Sequence, residues 1–196
     1  MKDLINDRAA WDAFLDTAAE ATANLHVENP DAGGVIGRVL MRRHPLTHAD
    51  FAPMFGLVFV DGDIDGGPAQ EKFIAVMRAV SVAGQAVACV LTAGAWVARD
   101  RGQGQAVRPS MDPTRVEAVI LSAEHVNFGP TLRLAEIITD ADGRRCQPWR
   151  PSRGLLASVL VTAPSPETEA TAQALLASLA SRGLLNMTYV APEKFN

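Results

Sequence analysis

Cysteine is scarce here: Cys89 and Cys146 are the only two in 196 residues. Two thiols make neither a disulfide framework nor a zinc site. Both lie in or beside apolar segments, where a cysteine serves as a small buried hydrophobe. Basic charge is not in excess either. Eighteen Lys+Arg stand against 22 Asp+Glu, a formal charge of −4, so the chain lacks the electrostatic footprint of a duplex-DNA binder. Aromatics make up 6%, and only Trp149, among Arg144, Arg145, Arg150 and Arg153, is interleaved with basic residues as a single-strand nucleic-acid platform needs. The N-terminal MKDLINDRAAWD has acids where a secretory leader needs an unbroken apolar stretch, which makes the cytoplasm the expected compartment.

Catalytic signatures are missing too. There is no Gly-x-Ser-x-Gly elbow, no Gly-x(4)-Gly-Lys-Ser/Thr phosphate loop and no full dinucleotide fingerprint. One run, Ala79 to Ala98, carries no charge over a membrane-span length. Ser81, Gly84, Gln85, Thr92 and Gly94 interrupt it, Leu91 is its only leucine, and alanine drives insertion poorly. It reads as a helix end, a break at Gly84-Gln85 and a buried strand. No membrane partner is expected.

What is present is an ordinary globular mixture, 48% hydrophobic and 20% charged, of a length for one domain spanning 1–196. Residues 3–25 have helical periodicity, with Trp11, Phe14, Leu15 and Ala18 on one stripe and Asp7, Asp12, Asp16 and Glu20 facing away. VIGRVLM at 35–41 fits a strand or a helical turn. Phe55 to Val60 reads as a strand, Glu71 to Val82 as a helix and Val87 to Val97 as a buried strand. The Gly- and Pro-rich connection around 99–113 is expected to be mobile. Arg115 to His125 and Thr131 to Thr139 read as a hairpin about Asn127-Phe128-Gly129-Pro130. Leu155 to Val161 is a short apolar run. Ser165 caps a helix with Pro166 at its first position and Gly183 at its stop, and Leu184 to Val190 returns as a strand. This order predicts an α+β fold: a two-layer domain with a largely antiparallel sheet and N-terminal, middle and C-terminal helices.

An apolar strand ending in Ala95-Trp96 is followed by a polar loop and Asp112-Pro113-x-Arg115-x-Glu117. Then come Ala123-Glu124, Glu136-Ile137, Asp140-x-x-Gly143 and Trp149. This series resembles small uncharacterised proteins of bacterial genomes, phages and prophages, over about a third of the chain. The family often places an acid before the Ala-Trp pair, where this chain has Gly94. The resemblance implies the strand reading and carries no activity.

Candidate chemistry is sparse. Asp61, Asp63 and Asp65 open a loop like that of a calcium site, but Lys72 stands where the bidentate acid belongs. No metal or other cofactor is expected, and a solvated acidic turn accounts for the loop. Arg99 to Gly104 matches a short acetyltransferase phosphate signature, yet Pro109 and Pro113 fall where its helix should run. His44 and His48, with Asp50, have helical ligand spacing, broken by Pro45. Glu124 and Glu136 each share a strand face with apolar residues, where burial raises a carboxylic acid. If His125 pairs with Thr131, Glu136 lies opposite Ile120, roughly 13 Å from Glu124.

Two readings follow. The first is a non-enzymatic binding module acting through a protein partner or self-association, with Arg144, Arg145, Trp149, Arg150 and Arg153 as its surface. The alternative is a small enzyme or ligand-binding protein using Glu124 and Glu136 with His125.

Overall fold

The computed structural model describes residues 3–29, 35–60, 68–97, 113–152 and 157–191. Helix α1 (Arg8–Glu28) is capped by Asp7, whose carboxylate accepts from the Ala9 and Ala10 amides, so the helix begins where its orphan N–H groups first find an acceptor. Trp11, Phe14, Leu15, Ala18, Ala19 and Ala23 form its buried stripe. Strands β1 (Val35–Arg43) and β2 (Asp50–Val60) pair antiparallel. Helix α2 (Pro68–Ala83) leads to β3 (Ala88–Val97), β4 (Val116–His125) and β5 (Gly129–Asp140). Two short strands follow, β6 (Gly143–Cys146) and β7 (Arg150–Ser152). Helix α3 (Pro166–Ser181) and β8 (Leu185–Val190) are the last of the described elements. Ser165 caps α3 by accepting from the Thr168 amide, with Pro166 at the first turn.

The strands form one antiparallel, strongly curled sheet in the order β6-β5-β4-β3-β1-β2-β8, and β7 also pairs with β5. The α+β class, the antiparallel sheet and the three helices are as predicted. The helices divide between the two faces, so α1 adds a layer to the two expected. On one face Trp11, Phe14, Leu15 and Ala18 pack on Leu40, Phe55, Val90 and Leu121. On the other, Phe73, Met77 and Val80 of α2 and Leu176 of α3 pack with Val39, Met41, Val58 and Leu91. β1 is thus covered on both sides, which settles the open reading of 35–41 as strand. Val39, Leu40 and Met41 are all fully buried, and a strand buried on both faces shows an unbroken apolar run instead of alternation.

The break between α2 and β3 falls as expected at Gly84-Gln85, with Gln85 in the left-handed region at φ 48°. Gly84 is required by packing. A Cβ there would stand 2.4 Å from the Met41 sulfur. No helix among the described residues is long and apolar enough to cross a membrane.

Candidate functional site

Glu124 and His125 are neighbours on β4 and so face opposite sides of the sheet. Ser158 Oγ donates to one Glu124 carboxylate oxygen at 2.9 Å, and the Val159 and Leu160 amides donate to the other at 2.6 and 2.9 Å. The carboxylate therefore pins residues 158–160, which form no strand of their own but lay Val159 onto the α2–α3 core. Cys89, paired across from Glu124, is fully enclosed. Burial pushes its thiol far above the ordinary range; a hydrogen bond with Ser81 opposes this, and the charge of Glu124 adds to it. A thiol so placed is inert.

His125 is held on the α1 face. The Asn127 amide donates to Nδ1 at 3.0 Å, so the proton sits on Nε2, which donates to the Leu4 carbonyl at 3.0 Å. The ring lies between Trp11 and Phe128, with centroids 4.8 and 4.3 Å away. Burial lowers its pKa, the bond to Leu4 opposes this, and Arg8 lowers it further. Both nitrogens are thus committed to the fold.

The hairpin register corrects the one assumed from sequence. His125 pairs with Gly129, and Glu136 with Ala118. Glu124 faces Pro130, so six residues of β5 separate Glu136 from it, roughly 20 Å at strand rise. Glu136 pairs with Arg150 at 3.1 Å. The structure does not bring Glu124, His125 and Glu136 together.

The Trp149 segment is distributed likewise. Arg144 pairs with Glu117 and also donates through Nε to the His26 carbonyl near the end of α1. Arg145 holds Asp140 through both terminal guanidinium nitrogens, at 2.8 and 2.6 Å, and Arg150 holds Glu136. The guanidinium–carboxylate bond to Arg145 keeps Asp140 below the usual carboxylate range. Trp149, half-buried, packs against the α1 core and against the cluster of Ala23, Val119, Ala135 and Ile137.

Between α1 and this segment runs a groove of about 500 Å³, a volume within the range of ligand pockets. Ala19 and Ala23 supply one apolar wall; Cys146, Pro148 and Trp149 supply the other. Asp16, ion-paired with Arg133, and Glu20 stand at the rim. Burial raises the half-buried Cys146 thiol above its ordinary value. The α1 residues were invisible as a site in the sequence. Asp16 and Glu20 read there as a solvated face, and only the stripe of alanines beside them, too small to fill space against a neighbour, signals a gap.

His44 turns its Nδ1 back on the Leu46 and Thr47 amides, and Asp50 pairs with Arg43 at 3.0 Å. Among the described residues no three His, Cys, Asp or Glu side chains gather for a metal ion. Asp61, Asp63, Asp65, Arg153, the 99–104 signature and nearly all of the 99–113 connection lie outside the described residues. At Gly94 a Cβ would stand 2.6 Å from the His26 ring, so α1 itself crowds out a side chain there. No family model matches this chain, and neither does any curated protein or solved structure.

Proposed function

We propose that this chain is a cytoplasmic, non-enzymatic binding module that acts through a protein partner, with the groove between α1 and Cys146–Trp149 as the contact surface. The observation that carries the reading is the groove's build: a half-buried tryptophan and a proline facing two alanines, under a rim that bears the Glu20 carboxylate. Indole and proline walls give apolar contact at low entropic cost, and tryptophan is enriched at interaction hot spots. No ion pair engages Glu20 among the described residues, so the rim selects a partner segment with a basic side chain beside an apolar one. The three arginines held by carboxylates of this chain keep the Trp149 segment in place. Arg153 remains a candidate contact. A phage or mobile-element origin rests on the Ala95-Trp96 and Asp112-Pro113-x-Arg115-x-Glu117 resemblance.

An array of short peptides combining Phe or Leu with Lys or Arg, set against the same peptides carrying Glu, tests this. Selective binding of the basic set, lost in both Glu20→Arg and Pro148→Asp, is the expected result. Binding indifferent to peptide charge, or retained in both variants, overturns the surface. A dimer in sedimentation that Glu20→Arg dissociates would replace the partner with a second copy.

A further inference from the structure

The most deeply buried arginine among the described residues, Arg38, has no carboxylate partner among them. Arg38 is 8% exposed. Its only hydrogen-bond partner among the described residues is a neutral hydroxyl, Thr92 Oγ1, 2.9 Å from Nη1. Six other arginines (8, 43, 133, 144, 145 and 150) each hold an Asp or Glu of this chain. Their side chains are 19% to 63% exposed, so the fold neutralises guanidinium groups that water already screens and leaves the desolvated one alone. That is the reverse of what electrostatics asks, because an uncompensated charge costs most where water is excluded.

The surroundings specify what is missing. Arg38 lies on the α1 face of β1, with Leu57 and Val90 as its cross-strand neighbours and Ile36 two residues before it. These apolar side chains offer no acceptor, and burial alone lowers the guanidinium's pKa, with no charge opposing it. No described side-chain nitrogen or oxygen is both fully enclosed and without a hydrogen-bond partner. The Arg38 nitrogens that do not reach Thr92 therefore open onto solvent. A guanidinium presents five N–H donors in a fork matched to two oxygens of one anion, and Thr92 uses one.

We propose that Arg38, aimed by Thr92, is the receptor for a small oxyanion, the phosphate or carboxylate head of a ligand that enters beside α1. The apolar walls make the charge-assisted bonds stronger than the same pair has in bulk water. This site is separate from the Trp149 groove and stands or falls independently of it.

The test is calorimetric titration of the full chain with inorganic phosphate and with acetate, each at constant ionic strength against sodium chloride. One of the two should bind saturably, and which one does identifies the head group. Arg38→Met, close in volume and uncharged, should weaken that binding at least tenfold, and Arg38→Lys, which keeps charge but not the fork, by less. Thr92→Val serves as the second variant if Arg38→Met does not fold; loss of the hydroxyl that aims the guanidinium should weaken binding several-fold. Wild-type chain that gives no heat beyond chloride with either anion overturns the proposal. So does anion binding that Arg38→Met or, in its place, Thr92→Val leaves unchanged.

Discussion

Glu124 and Arg38 are two charges on opposite faces of one sheet, and the chain treats them differently. Around Glu124 it folds a receptor of its own, a hydroxyl and two backbone amides from residues 158–160. Around Arg38 it supplies one hydroxyl and apolar walls. A charge met by three donors of its own chain is part of the scaffold. One left mostly unmet is directed at something outside the chain. The difference warns against choosing functional residues by charge and strand face alone: that criterion selects Glu124 and passes over Arg38.

The comparison can be broken most forcefully at Glu124. Glu124→Ala removes three charge-assisted hydrogen bonds and should cost about 2–4 kcal/mol in urea unfolding. The Val159 and Leu160 amides should lose hydrogen-exchange protection ahead of the rest of the sheet. Unchanged protection there would show that the clamp does not hold this segment.

Acid should act next. Burial lowers the folded-state pKa of both His26 and His125, so the unfolded chain binds protons first. The stability they contribute is complete above the ordinary histidine value near pH 6.5, and is lost as pH falls below it through the depressed folded values. The slope is at most about 1.4 kcal/mol per pH unit for each histidine. His125→Asn should flatten part of it in a series of unfolding curves from pH 7.5 to 5. An identical slope in the variant would remove His125 from the account.

Arg38→Met should have the opposite sign. In buffer free of phosphate and carboxylates, removing an uncompensated buried charge should leave the unfolding free energy unchanged or raise it, by about 1 kcal/mol. A clear drop would make Arg38 scaffold like Glu124 and erase the contrast. The smallest effect belongs to Arg150→Ala. Its side chain is 63% exposed, and such surface pairs contribute about 0.5 kcal/mol or less.

Much of the fold was legible in the sequence because local rules were strong. Ser165-Pro166 and Gly183 bound α3 as their chemistry requires, and Gly84-Gln85 divides helix from strand. The start of α1 was read five residues early, at 3 instead of Arg8, because the apolar stripe runs on past the point where Asp7 supplies the cap. Strand 35–41 stayed open because burial on both faces erases the alternation that marks a strand. The register of β4 on β5 differs by two residues from the expected one, since Gly129, at φ 75°, already pairs with His125 and leaves three loop residues where five were expected. The site was the least legible part. Arg144 finds Glu117 across 27 positions and Arg150 finds Glu136 across 14, pairings that no local pattern contains. Arg38, inside an apolar run, carries no local pattern that marks it as a site.

The position of β8 has a consequence for how the protein is made. β2, complete by residue 60, finds β1 immediately, but its other edge pairs with residues 185–190. During synthesis that edge waits, with its N–H and C=O groups unpaired, while well over a hundred further residues are added. An exposed edge is a template for another chain, so the nascent protein is most exposed to misassociation just before its last strand emerges. A ribosome that stalls short of Leu185 would release a chain already folded over most of its sheet and adhesive along one side.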